Sequence, residues 1–218
     1  MSSTDTSVTT IPGLPKQRLE TLIDGIFCVT MLLLILQIRL PVVNQLEDLP
    51  QALLDLWPRY LLSYVGTFLM CAVYWINHHN QFHFIQRIDR VFVWINLLFL
   101  MHIACLPYSS ALLGMHRKEQ SVVLLYGVHL AVLWLILYVN WWYATNNRRL
   151  VAADLDAAVV GFSRERILMG LALSLLGVIL SFFNTAGAIL IYLAFPFIYA
   201  FPGKVDRFWK PVHPKVEL

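Results

Sequence analysis

Charged residues are scarce in this 218-residue chain, which has 13% Asp, Glu, Lys and Arg against 59% hydrophobic side chains. An ordinary soluble domain carries about 25% charged residues. With a mean hydropathy of +0.66, the apolar content exceeds what one soluble core of this length could bury. The composition therefore excludes both a soluble domain and a disordered chain, and it predicts a membrane protein.

Motifs for catalysis and for nucleic-acid binding are absent as well. The sequence has no nucleophile at helical spacing from a base, no glycine-rich phosphate loop and no HExxH zinc motif. A net charge of +3 provides no basic stripe for nucleic acid. Cys28, Cys71 and Cys105 all lie in apolar stretches, which indicates no framework of paired disulfides. We therefore expect no enzyme, no cofactor and no nucleic-acid partner.

Apolar runs long enough to cross a bilayer recur along the chain, since a crossing helix needs about 20 apolar residues. Four such runs cover residues 21–40, 59–79, 91–108 and 121–144. The uncharged stretch 167–201 would form a helix of about 52 Å, too long for one crossing, so we expect it to turn back at 184–187. The sequence thus predicts an all-α integral membrane protein with six transmembrane helices per subunit.

No connection between these runs is long enough to bury a separate core. A short interfacial helix is expected within residues 41–58, leading into the second span and anchored by Trp57 and Tyr60. The predicted organisation is a disordered N-terminal tail, a six-helix domain and a cytoplasmic C-terminal tail, over residues 1–17, 18–205 and 206–218.

Lysine and arginine are distributed unevenly between the two ends of the predicted spans. The N-terminal tail, the connections after spans two and four, and the C-terminus hold 12 of the 16 basic residues. The opposite side has Arg39, Arg59, Arg117 and Lys118. Because cytoplasmic loops retain positive charge, we expect both termini in the cytoplasm and the protein in the cell membrane. An even number of spans follows.

Several polar side chains lie within or beside the apolar runs. Asp24 is one helical turn from Glu20, and a carboxylate at the lipid boundary is expected to face protein partners. His79 and His83 are spaced i, i+4 but lack a third and fourth ligand, so we expect no metal site. Interhelical hydrogen bonds are the favoured role for Asn77, His78 and Asn96. Lone histidines at 102 and 129 are expected to be satisfied core residues.

An ordered set of residues resembles the prokaryotic relatives of the endolysosomal potassium channel called transmembrane protein 175. The first helix of that family opens with Arg, three residues and Phe-Ser-Asp; here Arg18 and Asp24 match, whereas Leu22 and Ile23 replace Phe and Ser. Further matches in the second and third spans are Trp75, Asn77, His78, His79, Arg87, Asp89, Arg90, Asn96, Leu106, Pro107 and Tyr108. The resemblance covers about residues 16–205.

This resemblance implies a homotetramer whose four first helices line a central potassium-permeable pore. It also implies that five residues hold the pore helix in place without binding ions, namely Arg18, Asp24, Trp75, His78 and Asn96. The narrowest ring would fall at Val29, and helical spacing continues the stripe through Leu32 or Leu33 to Leu36. Thr30 is expected to point away from that stripe.

The stripe is wholly apolar, a pattern that is also the default for helices packed together. As a pore it would resist conduction by dewetting. No TVGYG-like filter occurs, so selectivity would need a modest mechanism such as partial dehydration. The hypothesis is a potassium-permeable leak channel that also passes other monovalent cations, embedded in membrane lipid. Alternatives are a secondary ion transporter, for which we find no internal repeat, and a non-conducting structural or sensory membrane protein.

Overall fold

The computed structural model describes residues 15–38, 41 and 45–200, and the regular structure of this part of the chain is helical apart from one isolated β-bridge. Its α-helices are α1 (Lys16–Ile35), α2 (Leu49–Arg59), α3 (Thr67–Phe84), α4 (Arg90–Met115), α5 (Gln120–Thr145), α6 (Ala157–Ser181) and α7 (Thr185–Ala200). The predicted N-terminal tail, residues 1–17, includes the first two residues of α1 and residue 15 before it. Residues 1–14 and the predicted C-terminal tail lie outside the described residues.

Three helical stretches are long and apolar enough to cross a membrane. They are Leu46–Phe84, Arg90–Met115 and Gln120–Arg148, and Thr185–Tyr199 is a shorter apolar helix. In α1 and α6, charged side chains in the first half of each helix lower the hydropathy. The predicted all-α class and membrane character are thus supported. The helix α5 extends one residue beyond its predicted span at each end, and α4 extends one residue at its start and about two turns at its end.

The second predicted span differs from the expectation of a separate interfacial helix. A 3-10 turn (Leu46–Asp48), α2, a π-helical segment (Tyr60–Gly66) and α3 follow one another without a break. Pro58 lies inside this helix and has no backbone N–H to donate. The helix widens into the π-helical segment two residues after it. Trp57, Tyr60, Tyr64 and Phe68 form a ladder of rings 5.4–5.9 Å apart along it. These ring contacts favour continuing the helix through the proline.

The turn between the last two helices lies slightly earlier than the sequence predicts. The helix α6 ends at Ser181, and Asn184 caps α7 by accepting a hydrogen bond from the Gly187 amide at 3.0 Å. The residues after Asn184 therefore form the first turn of α7 instead of the loop. At its other end α6 begins at Ala157, about ten residues before the predicted span, because Asp156 caps it through the Ala158 amide at 2.8 Å.

Close packing around α5 and α6 forms the densest part of the core. Trp134 of α5 is fully buried, and its ring lies 4.9 Å from Tyr74, 5.6 Å from Phe195 and 5.3 Å from Tyr199. The helix α6 approaches α5 and α7 closely because it carries small buried residues at helical spacing, namely Gly170, Ser174, Gly177 and Ser181. Small residues at such contacts are typical of helices packed in membranes.

The α3–α4 and α5–α6 connections lie side by side at one end of the bundle. Ile85 pairs with Val151 in the isolated bridge, and the Gln86 amide donates to the Leu150 carbonyl at 2.9 Å. Asp89, which caps α4, also accepts a hydrogen bond from the Tyr143 hydroxyl at 2.7 Å. This surface coincides with the end at which α1 begins, since Lys16 donates to the Phe82 carbonyl at 2.7 Å.

Candidate pore helix and the groups that hold it

The helix α1 has two chemically similar but differently buried faces. One face packs on α3 and α4 and consists of buried residues at helical spacing, namely Leu19, Ile23, Phe27, Thr30 and Leu34. The rings of Phe27 and Phe99 contact each other, with centroids 6.1 Å apart. Thr30 is 2% exposed and lies on this packed face, which is the position expected from helical geometry.

The four residues predicted to line a pore lie on the other side of α1. Val29, Leu32, Leu33 and Leu36 are 52%, 63%, 42% and 72% exposed in the single chain. Leu36 immediately follows the last residue of α1 and continues the stripe. Within the single chain the stripe is therefore an uncovered apolar surface along the second half of α1.

A carboxylate ties α1 to α3. The Trp75 indole Nε1–H donates to Asp24 Oδ1 at 2.9 Å, and the Trp75 ring stacks on His79 at 5.2 Å. The structure thus brings together two of the five residues that the resemblance assigns to holding the pore helix.

A second, fully buried contact joins α3 to α4. His78 Nε2 lies 2.8 Å from Asn96 Oδ1, and the two residues are 2% and 0% exposed. The His78 ring is stacked between Phe82, at 4.5 Å, and Phe99, at 5.3 Å. Since Phe99 also contacts Phe27 of α1, this pair lies directly behind the packed face of the candidate pore helix.

Two other polar residues make no side-chain hydrogen bond to a neighbouring helix within the described part of the chain. Arg18 is exposed, and no hydrogen bond or ion pair joins its guanidinium to the described residues. Asn77 does not link helices, because its side-chain amide donates to the Val73 carbonyl of its own helix at 2.8 Å. The spacing of the helix explains the bond of Asn77, because the Val73 carbonyl lies four residues earlier, one helical turn away.

Sequence reasoning missed three residues that complete these contacts. Lys16 binds the end of α3 and forms an ion pair with Glu20 at 3.3 Å. Asn140 of α5 and Gln81 of α3 extend the His78–Asn96 pair into a longer chain of hydrogen bonds. An isolated amide in the apolar run 121–144 is the signal that could have identified Asn140, because polar side chains inside membrane bundles seek partners on other helices.

A cavity of about 350 Å³ opens beside the first half of α1. Its lining includes Glu20 and Asp24 on the α1 side and Trp75, His78 and His79 on the α3 side. The two carboxylates give this cavity an acidic wall at the end of the bundle where α1 begins.

The described residues contain no group of three or more His, Cys, Asp and Glu side chains that could hold a metal ion. His129 has partners on both ring nitrogens, the Ser109 hydroxyl at 2.9 Å and the His102 carbonyl at 3.0 Å. His129 is therefore the satisfied core histidine that the sequence analysis expects.

Comparison with known proteins identifies the family. The family model described as "Endosomal/lysosomal potassium channel TMEM175" matches residues 18–107. A protein named as a potassium channel from Streptomyces collinus is 32% identical over 157 residues, which cover 70% of this chain and 76% of the relative. A second named potassium channel, from Chamaesiphon minutus, is 32% identical over 173 residues, covering 77% and 84% of the two chains.

The fold matches a solved structure as well. The crystal structure of a lysosomal potassium-selective channel TMEM175 homologue from Chamaesiphon minutus superposes with a TM-score of 0.76 at 26% identity. The alignment covers 85% of this chain and 96% of that one. The relatives are named as channels and not as enzymes. Sequence and fold agree on one assignment: the chain is a membrane protein that belongs to the TMEM175 family.

Proposed function

We propose that this protein is a potassium-permeable, leak-type cation channel formed by four copies of the chain around one axis. In this assembly the four α1 helices line the pore, and rings of Val29, Leu32, Leu33 and Leu36 form its constriction. Potassium and other monovalent cations are the permeant ions. The names of the bacterial relatives support potassium as the principal ion.

The observation that carries the proposal is the two-faced burial of α1. One face is packed inside its own subunit, and the opposite face exposes 42–72% of each stripe residue. The buried hydrogen bond between His78 and Asn96 and the exposed one between Trp75 and Asp24 support the packed face. These polar contacts fix which side of α1 is turned outward, and four outward faces can enclose an axis.

The chemistry of the stripe determines the expected behaviour of the pore. Rings of branched aliphatic side chains expel water, so an ion crosses only when the constriction is briefly wet. The backbone carbonyls of α1 are already used in the helix and do not replace the hydration shell of an ion. We therefore propose a low conductance and a selectivity set by partial dehydration.

The proposed topology has six membrane crossings and places both termini in the cytoplasm. The continuous helix Leu46–Phe84 supplies one crossing, and α1, α4, α5, α6 and α7 supply the others. In this orientation the acidic wall of the cavity, Glu20 and Asp24, faces the cytoplasmic entrance, where carboxylates raise the local concentration of cations. The positive-inside asymmetry supports this orientation and a location in the cell membrane.

A flux assay in liposomes tests the function. Purified protein is reconstituted into vesicles with a potassium or a sodium gradient. A proton ionophore lets protons cross the membrane in the opposite direction and so balances the charge that the cations carry. We expect passive, voltage-dependent potassium entry that exceeds sodium entry. Strict coupling of one ion to another would identify a secondary transporter, and no flux from correctly assembled protein would identify a non-conducting membrane protein.

The Asp24–Trp75 contact gives a separate prediction. Replacing Asp24 with Ala removes the acceptor of the indole hydrogen bond, so we expect the fraction of assembled oligomer in detergent to fall about threefold, consistent with a loss of about 0.7 kcal/mol for a partly exposed hydrogen bond. The potassium-to-sodium flux ratio of the remaining oligomer should stay the same. Size-exclusion chromatography and vesicle flux measure the two quantities, and Trp75→Phe serves as the matched partner variant. An intact oligomer with a changed ion preference would contradict the holding role of Asp24.

A further inference from the structure

The buried pair His78–Asn96 is one end of a longer chain of hydrogen bonds that crosses three helices. Asn96 Nδ2 donates to Asn140 Oδ1 at 3.0 Å, and Asn140 Nδ2 donates to Gln81 Oε1 at 2.9 Å. Gln81 Nε2 donates to the Leu137 carbonyl at 3.1 Å. The chain thus runs from α3 through α4 and α5, returns to α3, and ends on the backbone of α5.

The direction of every bond in this chain is fixed. A side-chain amide nitrogen can only donate and its oxygen can only accept, so the Leu137 carbonyl orients Gln81 and Gln81 orients Asn140. Asn96 is oriented by two acceptors of its Nδ2 atom, Asn140 Oδ1 and the Phe92 carbonyl of its own helix at 2.8 Å. The Asn96 oxygen then faces His78 as an acceptor, and His78 Nε2 must carry the proton. Asn140 thus shares with the Phe92 carbonyl the orientation of Asn96, and through Asn96 it contributes to the orientation and tautomer of His78, which it does not contact in any of these bonds.

All four side chains are 0–2% exposed. A buried amide that loses its partner is strongly unfavourable. Loss of one link consequently forces its neighbour to turn toward another acceptor, which transmits the disturbance along the chain.

The His78 end of the chain lies against the candidate pore helix. The His78 and Phe99 rings are nearly parallel, at 9°, and Phe99 contacts Phe27 of α1. His78 also lines the cavity together with Ile23 and Asp24. In contrast, α5 has at most a marginal contact with α1. An effect of Asn140 on α1 therefore passes through α3 or α4, and the hydrogen-bonded route between them is Asn96 and His78.

From this arrangement we infer that Asn140, oriented by Gln81, is a positioning residue for the pore: it fixes α1 relative to the axis through Asn96 and His78. The inference rests on the proposed function. When the chain of hydrogen bonds is broken, α1 loses its defined position, and the apolar rings collapse toward the dewetted, non-conducting state.

The test measures potassium flux into liposomes at equal amounts of assembled oligomer. Asn140→Leu removes the donor and the acceptor at nearly constant volume, and we expect the flux per oligomer to fall about fivefold, within the range of long-range couplings in proteins. The matched control is Asn77→Leu, since Asn77 is also a buried asparagine but bonds only its own helix; its flux should stay within about twofold of the unmodified protein. Equal flux for Asn140→Leu and the unmodified protein would overturn the inference.

A double variant separates positioning from a general packing defect. If Asn140 acts through His78, then Asn140→Leu with His78→Phe should conduct about as well as His78→Phe alone, because the second change acts on a link already broken. Fold-losses that multiply would overturn the inference. Should Asn140→Leu fail to assemble, Gln81→Met removes only the amide that orients Asn140 and must give the same loss of flux; unchanged flux would overturn the inference.

The two claims fail in different ways. An unmodified protein that assembles but passes no potassium overturns the proposed function, and with it the positional role. An unmodified protein that conducts, alongside an Asn140→Leu variant that conducts equally well, overturns only the role of Asn140.

Discussion

Replacing Leu36 or Val29 with Asn is expected to raise potassium flux by at least about tenfold per oligomer. An apolar ring holds back ions because water leaves it readily, and an amide at the same position holds water by hydrogen bonds. A change of about 1.4 kcal/mol in the barrier is enough for a tenfold effect. Vesicle flux at matched amounts of oligomer is the measurement.

The control for this prediction uses an apolar residue that is equally exposed but lies on another helix. Leu190 of α7 is 66% exposed, close to the 72% of Leu36, and Leu190→Asn should leave the flux per assembled oligomer within about twofold of the unmodified protein, because a residue outside the proposed pore does not change how the constriction is wetted. Unchanged flux for both α1 variants, in protein that still assembles, would contradict a pore on the first helix. A rise with Leu190→Asn alone would place the ion pathway elsewhere.

The second large effect concerns the contact between α5 and α6. A Cβ atom at Gly170 would lie 2.4 Å from Cε2 of Trp134, a ring that is fully buried and packed against three aromatic neighbours. The ring has no free space to move into, so Gly170→Ala is expected to destabilise the protein by about 3 kcal/mol. Thermal unfolding in detergent measures the loss.

A matched control exists in the same helix. A Cβ at Gly161 would meet no atom within 4 Å, and alanine is the better helix former by about 1 kcal/mol. Gly161→Ala should therefore leave the unfolding temperature unchanged or raise it. Equal destabilisation by both substitutions would mean that the close approach of α6 to Trp134 does not determine stability.

The sequence predicts the bilayer-crossing elements well where the apolar run alone decides. The helix α5 matches its predicted span closely, and α4 contains its predicted span and continues through Pro107 to Met115. It predicts poorly where a local signal is overridden by tertiary contacts. Pro58 indicates a helix end, but the ring ladder from Trp57 to Phe68 keeps the chain helical.

The candidate site follows a similar division. The pairs Asp24–Trp75 and His78–Asn96 involve residues that the family resemblance points to, and the structure brings each pair into hydrogen-bond contact. Asn140 joins these pairs from α5. The sequence of that helix is apolar on every side, so its periodicity does not predict which face is buried. Which partner an isolated amide finds depends on how three helices pack, and that packing is a property of the fold and not of any single segment.

The central claim is that identical copies bring their first helices together around one axis. Cysteine cross-linking tests it most directly, in a background where Cys28, Cys71 and Cys105 are replaced by Ser or Ala. The variant Leu36→Cys, treated in the membrane with a short thiol-reactive linker, should give linked subunits in high yield, whereas Leu190→Cys should stay unlinked. Linkage at position 190 without linkage at 36 would contradict a pore formed by α1.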